Sequence, residues 1–159
     1  MYLDSVSLIR PAPRTHMRVI PERVTFTAPA QASSVRTLRS RASLLFAGWA
    51  MSPDEQGTAE LVISELLTNA VMHGHDEMTL AIALTGSILE ITVTDHGEPK
   101  SPTPPSDLDE HGRGLAIVAA VSRDLRVDEM DAGWRAQARI ELESEASVAG
   151  TTGVRLRAA

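Results

Sequence analysis

The sequence predicts an α+β domain in two layers, an α/β sandwich with helices on one face of a mixed, mostly antiparallel sheet. Three observations carry this expectation. Four short alternating runs fall into two hairpin pairs, three stretches have apolar residues at helical spacing, and the elements run strand, two helices, hairpin, long loop, helix, hairpin. Strands grouped in antiparallel pairs with helices between them bury one sheet face under a helical layer.

Taken in order, the first 20 or so residues carry prolines and no period, and read as a flexible arm. "RVTFT" at 23–27 sets Val24 and Phe26 on one side, as a strand does. Over about 31–50, Val35, Leu38, Ala42, Leu45, Phe46 and Trp49 form one helical stripe, with Arg36, Arg39 and Arg41 on the other face. Those arginines read first as a solvated face and second as a docking surface for an acidic partner. The next helix, about 53–73, begins with Ser52 as cap, Pro53 in the first turn and Glu55 completing a capping box. Gly74 is its natural stop.

"MTLAIAL" and "ILEITVTD", joined by "TGS" at 85–87, form the first hairpin. Parity places Asp95 on the same side as Leu89, Ile91 and Val93. A carboxylate at the end of an inward row needs a partner, because an unpaired buried charge is costly. Residues 97–111, "GEPKSPTPPSDLDEH", hold four prolines and no period, so they read as a long loop of functional type. "GRGLAIVAAVS" opens a third helix after two glycines, "DLRVDEM" and "WRAQARIEL" make the second hairpin, and 144–159 reads as a tail. The foldable domain is therefore 21–143.

At 159 residues the chain has the length of one domain, with 43% hydrophobic and 23% charged residues. The formal net charge of -6 argues against non-specific nucleic-acid binding, since phosphates reward basic surfaces. No stretch reaches the ~18 apolar residues of a membrane span. The N-terminus lacks the apolar run of a secretion signal, and cysteine is absent, which removes disulfides and thiol chemistry. A cytoplasmic location is expected.

Within the second helix, "ELLTNAVMHGH" sets Glu65, Asn69 and His73 at four-residue intervals, stacking polar groups where a core helix would carry leucine. Glu65, Asn69, Asp95 and the glycines of 112–115 are expected to border one cleft between the layers. His73, His75 and Asp76 lack a convincing fourth ligand for zinc, and such histidines more often pack or cap locally.

These three signals in this order resemble the GHKL ATP-binding superfamily, and the compact size is most similar to its anti-sigma-factor serine/threonine kinases. "ELLTNAVMHG" resembles the N box, "VTDHGEP" the first glycine box and "HGRGLAIV" the second, over residues 24–142. The resemblance implies the Bergerat ATP-binding fold, with ATP and Mg²⁺ as cofactors. It implies Glu65 as general base and Asn69 as the Mg²⁺ ligand. His73, Asp95, Gly97, Gly112, Arg113, Gly114 and Leu115 complete the implied nucleotide site, Asp95 accepting from the adenine amine and the glycines cradling phosphate. The segment 98–111 takes the place of the ATP lid.

The implied function is a protein kinase that regulates transcription, binding a sigma factor and phosphorylating a serine of an anti-sigma antagonist (STAS-type) protein, as a homodimer. The alternative is a non-catalytic ATP-binding switch that changes partner affinity through lid ordering. Two positions depart from the family pattern. Glu98 and Pro99 follow Gly97 where a second glycine is usual, and Trp134 follows Gly133 where relatives tend to have threonine, whose hydroxyl contact is then missing.

Overall fold

A computed structural model describes residues 22–99, 113–131 and 133–143. The elements are β1 (Glu22–Pro29), α1 (Ala32–Gly48), α2 (Pro53–His73), β2 (His75–Thr85), β3 (Ile88–Pro99), α3 (Arg113–Val121), β4 (Asp124–Met130) and β5 (Gly133–Glu141). The arm expected over 1–20, the tail over 144–159 and most of the lid segment lie outside the described residues, as does Gly112.

The strands form one sheet in the order β1-β2-β3-β5-β4, and every pairing among the described residues is antiparallel. The expected sandwich is therefore present, with its sheet at the fully antiparallel limit. Register aligns the apolar rows. Phe26 faces Leu80, Leu80 faces Val93, and Val93 faces Ala136, so one continuous face meets the helices. A one-residue slip would turn each of these rows to solvent, so the buried face itself fixes the pairing.

Helix α1 buries Ser34, Leu38, Ala42 and Phe46, at four-residue steps. Helix α2 buries Ala59, Val62, Ile63, Leu66, Leu67 and Ala70, the pattern of a helix laid along a core. With Met78, Leu80, Ile82, Leu89, Ile91 and Val93 fully buried from the sheet, these side chains make one cluster. Burial of each large aliphatic group contributes roughly 1.5–3 kcal/mol. Because α2 rotates about 100° per residue, Glu65 stands beside Leu66 yet outside the apolar stripe. The helix is thus anchored by one side and offers a polar side along its flank.

The α2 N-terminus is built as its residues predict. The Glu55 amide donates to Ser52 Oγ at 3.3 Å, and the Ser52 amide donates to Glu55 Oε2 at 2.7 Å, with Pro53 in the first turn.

One boundary differs from expectation. Residues 97–99, read as the start of a loop, continue β3, with Pro99 paired to His75. Pairing of β3 with β5 ends at Thr94–Arg135, so among the described residues the strand's far end has a neighbour on one side only. A proline, which donates nothing to a ladder, is tolerated at such an open edge. Among the described residues no helix is long and apolar enough to cross a membrane.

Candidate functional site

The polar flank of α2 meets the start of α3. Glu65 and Asn69 stand one turn apart, and Gly114 sits against both. A Cβ at Gly114 would stand 2.7 Å from Glu65 Oε2 and 3.7 Å from Asn69 Oδ1. A side chain at this position would displace the Glu65 carboxylate, so glycine lets the first turn of α3 approach it undisturbed. Asn69 Nδ2 is buried and has no hydrogen-bond partner among the described residues. The amide is therefore not spent on a neighbouring backbone carbonyl, the ordinary structural use of such an asparagine. Glu65 forms no salt bridge among the described residues. Arg113 is exposed at the first position of α3, and Leu115 packs against the core from the same turn. Free amides at this helix start, with Gly114 and Arg113, make a setting for an anion.

His73 is exposed at the last turn of α2. Steps of four residues overshoot the helical repeat, so His73 lies roughly 80° around the axis from Glu65. Among the described residues no three His, Asp or Glu side chains gather as metal ligands.

The second group of residues surrounds Asp95. As parity predicts, Asp95 ends the inward row of β3, and it is fully buried. Its Oδ1 accepts a hydrogen bond from the Trp134 amide at 2.6 Å. The carboxylate thus takes over where the backbone ladder between β3 and β5 stops. Oδ2 has no partner. Gly74 and Gly133 close in from either side: a Cβ on either glycine would collide with the Asp95 carboxylate. Gly133 has φ 137, a conformation that L side chains rarely adopt, so two constraints demand glycine there. Gly97 has φ 97 and packs its bare face against Asp76.

His75 completes this group, and the sequence pattern alone does not place it there. Alternation sets His75 with Glu77 and Thr79 on the outer sheet face. Those two do face outward, where His96 Nδ1 lies 3.3 Å from Glu77 Oε2 and His96 Nε2 is 2.9 Å from Thr79 Oγ1. The register between β2 and β3 shifts between His75 and Glu77, with one extra residue on β3 around Gly97. This irregularity re-aims the strand start. His75 Nδ1 then lies 3.4 Å from Asp95 Oδ1, close enough for charge attraction but not aligned as a hydrogen bond. Positive φ at Gly97 is the local feature that goes with the shift, and a glycine inside a strand pattern is its trace in the sequence.

The two groups are joined by the final turns of α2. Gly74 follows that helix, lies against the Ala70 carbonyl and touches Asp95, while Asn69 precedes Ala70. One element therefore carries Glu65 and Asn69 at one end of the site and delivers Gly74 and His75 to the other.

A family model described as the histidine kinase-like ATPase domain matches residues 28–140. Among solved structures, the fold is similar to the crystal structure of the RsbU and RsbW domains of Rv1364c from Mycobacterium tuberculosis, with a TM-score of 0.60 and 22% sequence identity. That match covers 76% of this chain and 32% of the other, so this chain spans about a third of its length. No curated protein sequence matches the chain.

Proposed function

Because the chain belongs to the histidine kinase-like ATPase domain family, we propose that it binds ATP with Mg²⁺ and acts as a serine/threonine protein kinase of the anti-sigma type. In this reading it binds a sigma factor and phosphorylates a serine of an anti-sigma antagonist (STAS-type) protein, in the cytoplasm and as a homodimer. The observation that carries the reading is the juxtaposition of Glu65, Asn69 and Gly114, with the unmatched Asp95 Oδ2 beyond the end of α2.

The donor set fits a magnesium ion. Mg²⁺ takes few protein ligands and favours hard oxygens, and Asn69 Oδ1 is a neutral oxygen whose own amide group is uncommitted. When bound, the ion neutralises phosphate charge. Asn69 holds it, and the α3 amides with Gly114 and Arg113 receive phosphate oxygens. Asp95 Oδ2 accepts from the base's exocyclic amine. Glu65, at the phosphate end, takes the proton of the attacking serine hydroxyl. Phosphoryl transfer depends chiefly on positioning and charge neutralisation, so this small set of groups suffices.

Incubating the protein with labelled ATP, Mg²⁺ and candidate antagonist proteins tests the reading. Label transfer that disappears in Glu65→Ala supports the kinase. Nucleotide binding with no transfer to any antagonist supports instead a switch that alters partner affinity, and absence of nucleotide binding sinks both.

A further inference from the structure

Asp95 has two oxygens and two very different environments for them. Oδ1 is held by the Trp134 amide at 2.6 Å and faced by His75 Nδ1 at 3.4 Å, whereas Oδ2 has no hydrogen-bond partner among the described residues. The torsion that turns an aspartate carboxylate about its own axis is broad, so one hydrogen bond does not fix which oxygen points where. A second polar contact on the same oxygen does. His75 supplies it: either the imidazolium or the tautomer with a proton on Nδ1 presents a positive edge to Oδ1.

Among the described residues His75 is the one imidazole in position to do this. His96, next to Asp95 in sequence, faces the opposite side of the sheet, engaged with Glu77 and Thr79. The side chain of His75 is 21% exposed, so it lies between solvent and a carboxylate that is fully buried. It reaches that place through the shift in strand register beside Gly97.

We propose that His75 is a positioning residue: it locks Asp95 so that Oδ2 alone addresses the bound base, making the site select purine nucleotides with an amine at C6. The inference rests on the reading of Asp95 as the base acceptor. A fixed, acceptor-only Oδ2 takes a hydrogen bond from adenine's amine and repels the carbonyl oxygen that hypoxanthine carries at the same position. Released from His75, the carboxylate plane tilts, neither oxygen stays in line with the substituent at C6, and the discrimination falls. Trp134 holds Oδ1 through its backbone amide, so the contact is independent of the side chain that replaces threonine there.

The test measures Kd for ATP and ITP, each with Mg²⁺, for wild type, His75→Ala, His75→Asn and Asp95→Asn, alongside the melting temperature of each. Wild type prefers ATP, and His75→Ala lowers the ATP-to-ITP preference by about tenfold, or roughly 1.4 kcal/mol. His75→Asn restores most of it, because its amide nitrogen stands about where Nδ1 stood. A purely structural role for His75 would weaken both nucleotides together and leave the ratio unchanged, which overturns the proposal. Asp95→Asn separates this from the underlying reading. If that variant keeps the wild-type ratio, Asp95 does not read the base and both fall. If it abolishes the preference while His75→Ala keeps it, only the role of His75 falls.

Discussion

The two ends of α2 are built in opposite ways. At the N-terminus the helix amides find partners: Ser52 and Glu55 cap each other, Pro53 fills the first turn, and the Glu143 amide donates to Glu55 Oε1 at 2.8 Å. Around the C-terminal half, Asn69 Nδ2, His75 Nδ1 and Asp95 Oδ2 are buried without hydrogen-bond partners among the described residues, His75 Nδ1 having only its 3.4 Å approach to Asp95. A buried polar atom left unmatched costs about 1–3 kcal/mol, so native folds leave few of them. Three at one end of one helix is a local concentration of that cost. One end ties the chain together, and the other leaves polar groups unmatched among the described residues.

That contrast breaks most sharply at Gly74, where the helix ends against the buried carboxylate. A methyl group there would collide with the Ala70 carbonyl, which is helix backbone, and with the Cβ and carboxylate of Asp95. Gly74→Ala is expected to destabilise the fold by about 3 kcal/mol through overpacking, lowering the melting temperature by roughly 10 °C or more. Asn69→Ala acts on the same end with the opposite signature. It removes an unmatched buried amide, so thermal stability holds or rises slightly. Affinity for ATP in the presence of Mg²⁺ falls about 10–150-fold, the range for losing a contact to a charged group. Titrating ATP with and without Mg²⁺ checks it, and equal, metal-independent binding by both proteins would remove Asn69 from the site.

Much of this was legible in the residues because periodicity is a backbone property. The four-residue spacing of Glu65 and Asn69 put them on one flank, and the period of two put Asp95 inside, where it is found. Both predictions needed only regular geometry. His75 needed an irregularity: parity assigns it to the outer face, and a register shift that depends on tertiary pairing brings it in. The end of β3 was missed for a related reason. Pro99 reads as a breaker, yet among the described residues only β2 pairs with that stretch, and which strand edges have neighbours is not written in a local pattern. His73 shares the spacing of Glu65 and Asn69 but is exposed, since the small overshoot of each four-residue step accumulates along the helix.

The smallest effect is expected at the satisfied end, and it carries a pH signature. Burial opposes ionisation of Glu55, but the Ser52 amide, the Ser52 hydroxyl and the Glu143 amide hold its carboxyl below the ordinary value of 4.5. In the unfolded chain that carboxyl has the ordinary value, so folding favours the charged form. The stabilisation is complete at pH well above 4.5 and is lost as the pH falls through the lower folded-state value. Glu55→Ala is therefore expected to cost about 1 kcal/mol at pH 7, the usual value of a helix cap. Thermal unfolding at pH 7 and in progressively more acid buffer should show the gap between wild type and variant narrowing below pH 4.5, with Mg²⁺-ATP affinity at pH 7 unchanged. A gap of constant size across that range would mean that the charge on Glu55 contributes nothing, and that packing alone secures this end of α2.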